Sequence, residues 1–237
     1  KAAVASSLLT KAPLALDTTL PKTLQELGNS KAWKSVALHI RSTPHVPLVV
    51  WGPTGCGKSR GLEVLMKHMA HTLVAFDGID GDNAHQLLQW VSRSRQMAPA
   101  EGQARVVLLE DFESFTPTAR LAFASELRKC DPKLRTPLVV TCTQLRAPDM
   151  RVLTNSKMAD VRLVAPPRDV IYEFFNARTP PVVMARGAEL CAYRDLRRVA
   201  NALSIPIPFG APCVRIPSSF EACRLLFKRR ITTEEWV

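Results

Sequence analysis

Val46-Pro47-Leu48-Val49-Val50-Trp51-Gly52-Pro53-Thr54-Gly55-Cys56-Gly57-Lys58-Ser59 decides how the rest of the chain is read. Its first six residues form a short apolar run closed by a turn, as a buried strand of a parallel sheet requires. The next eight satisfy G-x-x-x-x-G-K-[ST], and residues 58–71 then repeat Leu62, Leu65 and Met69 at helical spacing. A strand, a glycine loop and a helix in that order make a cradle for phosphate, because glycines let backbone N–H groups curl around the oxygens with no Cβ in the way. Lys58 brings a point charge to the β- and γ-phosphates, the Ser59 hydroxyl is a ligand for Mg²⁺, and the helix turns its positive end to the same group. Nucleotide binding is therefore assigned to Gly52, Pro53, Thr54, Gly55, Cys56, Gly57, Lys58 and Ser59.

Working outward, residues 73–76, 106–109 and 138–142 are further Val/Leu-rich runs, and helical patterns lie between them. Ser30 is placed as the cap of a helix over 31–41 with Trp33, Val36, Ala37 and Ile40 on one face. Asp82 or Asn83 caps a stretch through Arg95, and Thr116-Pro117 starts another helix. Strands alternating with helices predict an α/β, three-layer domain with a parallel sheet. Arg105-Val106-Val107-Leu108-Leu109-Glu110-Asp111-Phe112-Glu113 ends one strand in carboxylates. Glu110 is the candidate for Mg²⁺, through water, and Asp111 the candidate to orient or deprotonate an attacking water. After Val164 the pattern turns helical: Pro166-Pro167 breaks the chain, and residues 169–176, 188–191 and 194–203 read as helices without strands between them. The resulting division is an extension or linker (1–20), an α/β domain (21–164), a small helical lid (165–204), and a Pro-rich loop with a last helix (205–237), which ends in Lys228-Arg229-Arg230.

Composition bounds the partners. The 237 residues are 46% apolar and 22% charged, the balance of a globular chain, with a net charge of +11 that suits a polyanion. Aromatic residues are sparse at 6%, which argues against a base-stacking platform as the main device. No apolar run approaches the roughly 20 residues that span a bilayer, and residues 1–10 lack the apolar core of a signal peptide. The six cysteines contain no C-x-x-C pair, which argues against a zinc site or disulfide framework and for a reducing intracellular compartment. The five histidines show no metal-ligand spacing.

These motifs carry a resemblance. Gly52–Ser59 is the Walker A pattern of P-loop proteins, and the chain resembles AAA+ ATPases, within them clamp loaders of the replication factor C type. Pro21-Lys22-Thr23-Leu24-Gln25-Glu26-Leu27-Gly28-Asn29 is similar to the clamp-loader opening P-x-T-L-x-E-L-[V]-G-[NQ], one residue short before Gly28. In the family this stretch lies beside the adenine, which puts Leu27 at the base. Pro137–Thr143 resembles the sensor 1 strand, with Thr143 where Asn is usual. Arg194-Asp195-Leu196-Arg197-Arg198-Val199-Ala200-Asn201 resembles the sensor 2 motif G-D-x-R-R-x-x-N and makes Arg197 the γ-phosphate sensor. Ser219-Phe220-Glu221-Ala222 resembles the short helix after the lid of the large loader subunit.

The resemblance implies ATP and Mg²⁺ as cofactors, with DNA (primer–template, through its phosphates), a sliding clamp and other AAA+ subunits as partners, in the nucleus or the cytoplasm according to source. Arg93, Arg95 and Arg120 are the candidate phosphate contacts. Three departures qualify it. The family's Asp-Glu order is reversed in Glu110-Asp111, which shifts both carboxylates by a methylene. Asn155-Ser156-Lys157-Met158 has Lys where an arginine finger would stand, and lysine lacks the planar fork. The family's helical collar is absent or belongs to a part beyond these residues. The expected activity is thus a DNA-dependent ATPase of a clamp-loading complex, slow in hydrolysis where the reversed Glu110-Asp111 pair misplaces the water. The alternatives are an ATP-binding architectural subunit and another P-loop machine, such as a helicase loader or viral packaging motor.

Overall fold

The structure, a computed structural model, describes residues 21–26, 28–76, 84–96, 104–129, 131–154, 158–178 and 191–204. Contacts divide the chain into Lys1–Ser204 and Ile205–Val237, and every described residue belongs to the first unit. Leu27, Asp82, Asn83, the Asn155–Lys157 departure, the Pro-rich loop and the expected last helix lie outside the described residues.

Strands β1 (Leu48–Trp51), β2 (His71–Phe76), β3 (Ala104–Leu109), β4 (Leu138–Cys142) and β5 (Ala159–Arg162) form one sheet in the order β2-β3-β4-β1-β5. All four pairings are parallel. Four of the strands fall on the expected apolar runs. The fifth, Ala-Asp-Val-Arg, has no such run: it lies at the sheet edge, where alternate residues face solvent and little apolar character is needed.

The helices are α1 (Ser30–Ser42), α2 (Lys58–His68), α3 (Ala84–Gln96), α4 (Pro117–Leu127), α5 (Arg151–Thr154), α6 (Arg168–Asn176) and α7 (Leu196–Ser204). Trp33, Val36 and Ile40 of α1 and Leu62, Leu65 and Met66 of α2 pack on Leu48, Val50, Val106 and Leu108, one face of the sheet. Val91, Phe123, Leu127 and Leu153 from α3, α4 and α5 pack on Val49, Val107, Leu109 and Val140, the other face. Successive strand residues thus enter opposite cores. This is why the runs are apolar without alternation and why three layers form.

Two expected boundaries move. Ser30 lies inside α1, and the capping position belongs to Asn29 at φ 54°, whose side chain makes no cap bond. That amide instead donates to Val164 O (2.8 Å) and accepts from Val164 N–H (3.0 Å), holding the chain end after β5. α2 stops at His68 because Ala70 takes a left-handed φ of 55° and turns the chain into β2, so His71 begins a strand. Thr116 behaves as expected: its hydroxyl oxygen accepts from Ala119 N–H (3.2 Å), with Pro117 opening α4.

The helical segment after Pro167 has its own apolar cluster. Ile171, Phe174 and Phe175 of α6 meet Cys191 and Leu196, Val199 and Ala200 of α7, and the cluster closes on Val64 of α2. The helix that carries Lys58 therefore touches both the sheet and the helical segment.

Candidate active site

The glycine loop hangs between β1 and α2, and its root is crowded. Gly52 N–H donates to Cys142 O (3.2 Å), and a Cβ on Gly52 would stand 2.4 Å from Leu163 O. Gly55 and Gly57 have φ of 73° and 92°, conformations that glycine adopts without strain. Lys58 is 8% exposed, and its ammonium donates back to the loop carbonyls of Gly52 (2.8 Å) and Pro53 (3.3 Å). The loop is thus folded around its own cation. Cys56 is buried beside it, and burial pushes its thiol pKa up despite the Lys58 charge.

The acidic end of β3 meets this loop. The Ser59 hydroxyl donates to the Glu110 carboxylate, which unites the two residues expected at the metal. Asp111 follows at φ 44°, its N–H donated to Thr141 Oγ1 (3.0 Å) and its side chain exposed to the cavity. A 3-10 turn, Phe112–Ser114, carries the chain back across the end of β4, with Phe112 and Phe115 anchored in the core. Glu113 on that turn receives both the backbone N–H (2.8 Å) and the hydroxyl of Thr143 on Oε1, while its Oε2 is buried without a partner. Cys142 lies beneath this pair, and burial, with the Glu113 charge adding to it, pushes its thiol pKa up to about 12.

From the other side comes the helical segment. Asp195 caps α7, accepting Arg198 N–H on Oδ1 (3.0 Å), and Leu196 N–H donates to Gly55 O (3.0 Å). A Cβ on Gly55 would stand 1.9 Å from Asp195 Oδ1, so the first turn of α7 rests directly on the glycine loop. Arg194 is tied to the carbonyls of Pro166 (3.0 Å) and Ala165. The N-terminal stretch closes the wall. Arg60 Nε donates to Pro21 O (2.9 Å), and Glu26 pairs with Arg178 (2.6 Å) of the segment after α6. Burial raises the Glu26 pKa, but the N–H groups of Lys22 and Thr23 and the Arg178 charge outweigh it and leave the carboxyl below its ordinary value.

A cavity of about 520 Å³ results, lined among others by Thr54, Gly55, Gly57, Lys58, Ser59, Asp111, Glu113, Thr143 and Arg197. Residues expected from four separate stretches of sequence therefore face one space, with Glu110 behind Ser59. Gly52 and Pro53 sit under Lys58, and Leu27 lies outside the described residues. Glu113 stands in the carboxylate run with no role legible from the sequence alone. Its signal is the third acid, two residues past Asp111, which the 3-10 turn brings round to Thr143. Two protein oxygens at Ser59 and Glu110 suit Mg²⁺, which keeps waters and takes phosphate oxygens rather than a full protein cage.

The candidate DNA arginines divide. Arg95 is 0% exposed, bonded to Glu126 (3.2 Å) and to His45 O (3.0 Å), and is part of the core rather than of a DNA surface. Arg120 pairs with Asp149 (2.8 Å). Arg93 is exposed. Among the described residues no helix is long and apolar enough to cross a membrane.

No family model matches the chain. It is 22% identical over 138 residues to the replication factor C large subunit of Methanococcus aeolicus, covering 56% of this chain and 29% of that protein. Among solved structures it resembles Drosophila ORC bound to DNA, with a TM-score of 0.57, 14% identity, and coverage of 81% of this chain and 59% of that one. The Aeropyrum pernix ORC1 protein in complex with DNA gives a TM-score of 0.54 and 16% identity over 81% of this chain and 61% of its own. The fold is that of an AAA+ P-loop NTPase. The chain spans less than a third of the curated relative it matches. Within the AAA+ fold the β2-β3-β4-β1-β5 order sets the glycine loop after β1 beside the end of β4, with the acids of β3 one strand further on.

Proposed function

We propose that the chain is an ATP-binding AAA+ subunit of a clamp-loader-like DNA replication or repair complex, which couples ATP binding and slow hydrolysis to loading a sliding clamp. Residues 21–164 are read as the nucleotide-binding domain and 165–204 as the lid. The observation that carries the reading is the shared cavity, where Lys58 and Ser59 from the sheet side face Arg197 from the helical segment. The loop N–H groups and Lys58 would hold the phosphates, and Ser59 and Glu110 would hold Mg²⁺, which when bound neutralises phosphate charge. Asp111 and Thr143 face the place where water would meet the terminal phosphate, and Arg197 would report that phosphate to the lid. The clamp-loading part rests on the opening and lid motifs, together with the distant likeness to a replication factor C large subunit. DNA, the clamp and neighbouring AAA+ subunits are the partners of this reading; the +11 charge and exposed Arg93 support a phosphate backbone as one of them.

A second reading, an ATP-binding architectural subunit with little turnover, is favoured by one feature. Asp111 sits one methylene short of the glutamate that the family carries there, and a misplacement of about 1 Å costs roughly 10²-fold. Measuring binding of a fluorescent ATP analogue and DNA-stimulated ATP turnover separates the two. Lys58→Ala is expected to abolish tight binding in either case; unchanged binding would end both readings. Turnover that is already fast, and indifferent to exchanging Glu110 and Asp111, would remove the reading of a weakened site.

A further inference from the structure

We infer that Glu26 and Arg178 are positioning residues for the nucleotide: their ion pair latches the turn at residues 21–26 to the helical segment and so sets how fast nucleotide leaves. This rests on the ATP-binding reading above and deepens it, because it names what retains the ligand of that site. The turn is locked within itself. Glu26 Oε2 accepts the N–H groups of Lys22 (2.7 Å) and Thr23 (3.2 Å), and Thr23 Oγ1 accepts Glu26 N–H (3.4 Å). Side chain and backbone answer each other across four residues, the reciprocal arrangement of a capping box. Such a unit is held or released as one piece.

Both ends of the piece bear on the cavity. Pro21 lines it, and its carbonyl accepts Arg60 Nε–H (2.9 Å) from α2, the helix that carries Lys58 and Ser59. At the other end Glu26 Oε1 accepts from Arg178 (2.6 Å), 152 residues further along the chain. Arg178 is fixed independently of the turn: it donates to Phe174 O (3.0 Å), and its guanidinium lies 4.0 Å from the centre of the Phe174 ring. Phe174 stands edge-on to Phe175 with ring centroids 5.0 Å apart, and Phe175 lines the same cavity as Pro21. Between the anchors, Leu24 packs both on the sheet-side cluster and on the cluster of α6 and α7. That apolar contact is non-directional, whereas the ion pair fixes the position of the turn and can part without dismantling a core. Arg178 and Glu26 are 31% and 25% exposed, so their tie is weak and screened by salt. A tie of that strength slows the opening of the cavity without sealing it.

The test reads release of a ribose-labelled fluorescent ADP and of a non-hydrolysable ATP analogue carrying the same label. Stopped flow follows each with Mg²⁺ present and excess unlabelled ATP as chase, at low and high salt. The unaltered chain is compared with Glu26→Gln, Arg178→Ala, the two together, Arg178→Lys, and Asp149→Asn, which opens another partly exposed ion pair outside the cavity lining. Glu26→Gln and Arg178→Ala should each speed release about 3- to 5-fold, with association within about 2-fold. The double variant should release no faster than the faster single one, because both changes remove the same interaction. Arg178→Lys keeps the charge without the planar fork and should fall between the unaltered chain and Arg178→Ala. High salt should speed the unaltered chain about 2-fold more than it speeds the double variant. Asp149→Asn should release as the unaltered chain does. Glu26→Gln guards against misfolding, since its amide oxygen still accepts the N–H groups of the turn, and circular dichroism checks every variant.

Release unchanged in both single variants, single effects that multiply in the double variant, or an equal acceleration by Asp149→Asn overturns the inference and leaves nucleotide binding standing. An unaltered chain that binds neither nucleotide ends the inference together with the ATP-binding reading.

Discussion

Gly55→Ala tests whether α7 and the glycine loop act as one body. The added methyl meets two obstacles. Its backbone would hold φ at 73°, which costs an L-residue about 1–2 kcal/mol. Its Cβ would also lie 1.9 Å from Asp195 Oδ1, so reaching an ordinary contact of 3.4 Å requires a displacement of about 1.5 Å. That displacement moves Asp195, which caps α7, and with it the neighbouring bond from Leu196 N–H to Gly55 O, about 1 kcal/mol for each of the two interactions. A destabilisation of about 3–4 kcal/mol in urea unfolding is expected. Turnover should fall by about 10²-fold, because Arg197 stands two residues from Asp195 and moves with it. A double-mutant cycle separates the parts. In an Asp195→Ala background the clash is gone, and Gly55→Ala should cost only the backbone share, about 1–2 kcal/mol. If the substitution costs under about 1 kcal/mol and leaves turnover within about 3-fold, or costs the same in both backgrounds, the contact between α7 and the loop does not exist as described.

The other expectations concern stability and thiol chemistry. Arg95→Ala should destabilise by about 3–5 kcal/mol in denaturant titration, because Glu126, 1% exposed, would keep only the partly exposed Lys129 at 2.5 Å. The apolar pair Arg95→Met with Glu126→Leu should recover much of that loss, and if it does not, the pair contributes more than charge compensation. Glu26 has a depressed pKa in the fold, so its contribution is present above the ordinary glutamate value near 4.3 and is lost as the pH falls through the lower folded value. Its worth is under about 1 kcal/mol after screening, and Glu26→Gln should flatten that part of the acid limb of an unfolding profile. Cys142, with its pKa at about 12, should resist iodoacetamide at pH 8 until the chain unfolds. Because the folded state keeps this proton, its contribution to stability falls as the pH rises above the ordinary thiol value near 8.5, and Cys142→Ala should remove that slope.

Much of the architecture could be read because it depends on apolar runs buried on both faces. Leu48–Trp51, Leu138–Cys142 and the glycine loop between strand and helix have few alternative structures. β5 could not be read the same way, since an edge strand of Ala-Asp-Val-Arg takes its stability from pairing with β1. Asn29 looked like part of a family motif and Ser30 like a cap, but the amide's distant bond to Val164, 135 residues on, is invisible locally. Arg95 illustrates the limit of charge as a signal. On a helix pattern it reads as a surface cation, and only the approach of α4 shows that Glu126 neutralises it inside the core. Glu113 is the converse case, where the residue type was plain and the 3-10 turn that aims it was not.

The amide of Asn29 does for the end of β5 what another strand would do, offering one donor and one acceptor to the same residue's backbone. This fixes the chain up to Val164, while Arg194 grips the carbonyls of Ala165 and Pro166 from the far side. The stretch of chain between these two anchors is therefore only two or three peptide units long, and Pro166 and Pro167 restrict φ within it. A connection so short, held at both ends, leaves almost no slack between the end of β5 and the start of α6.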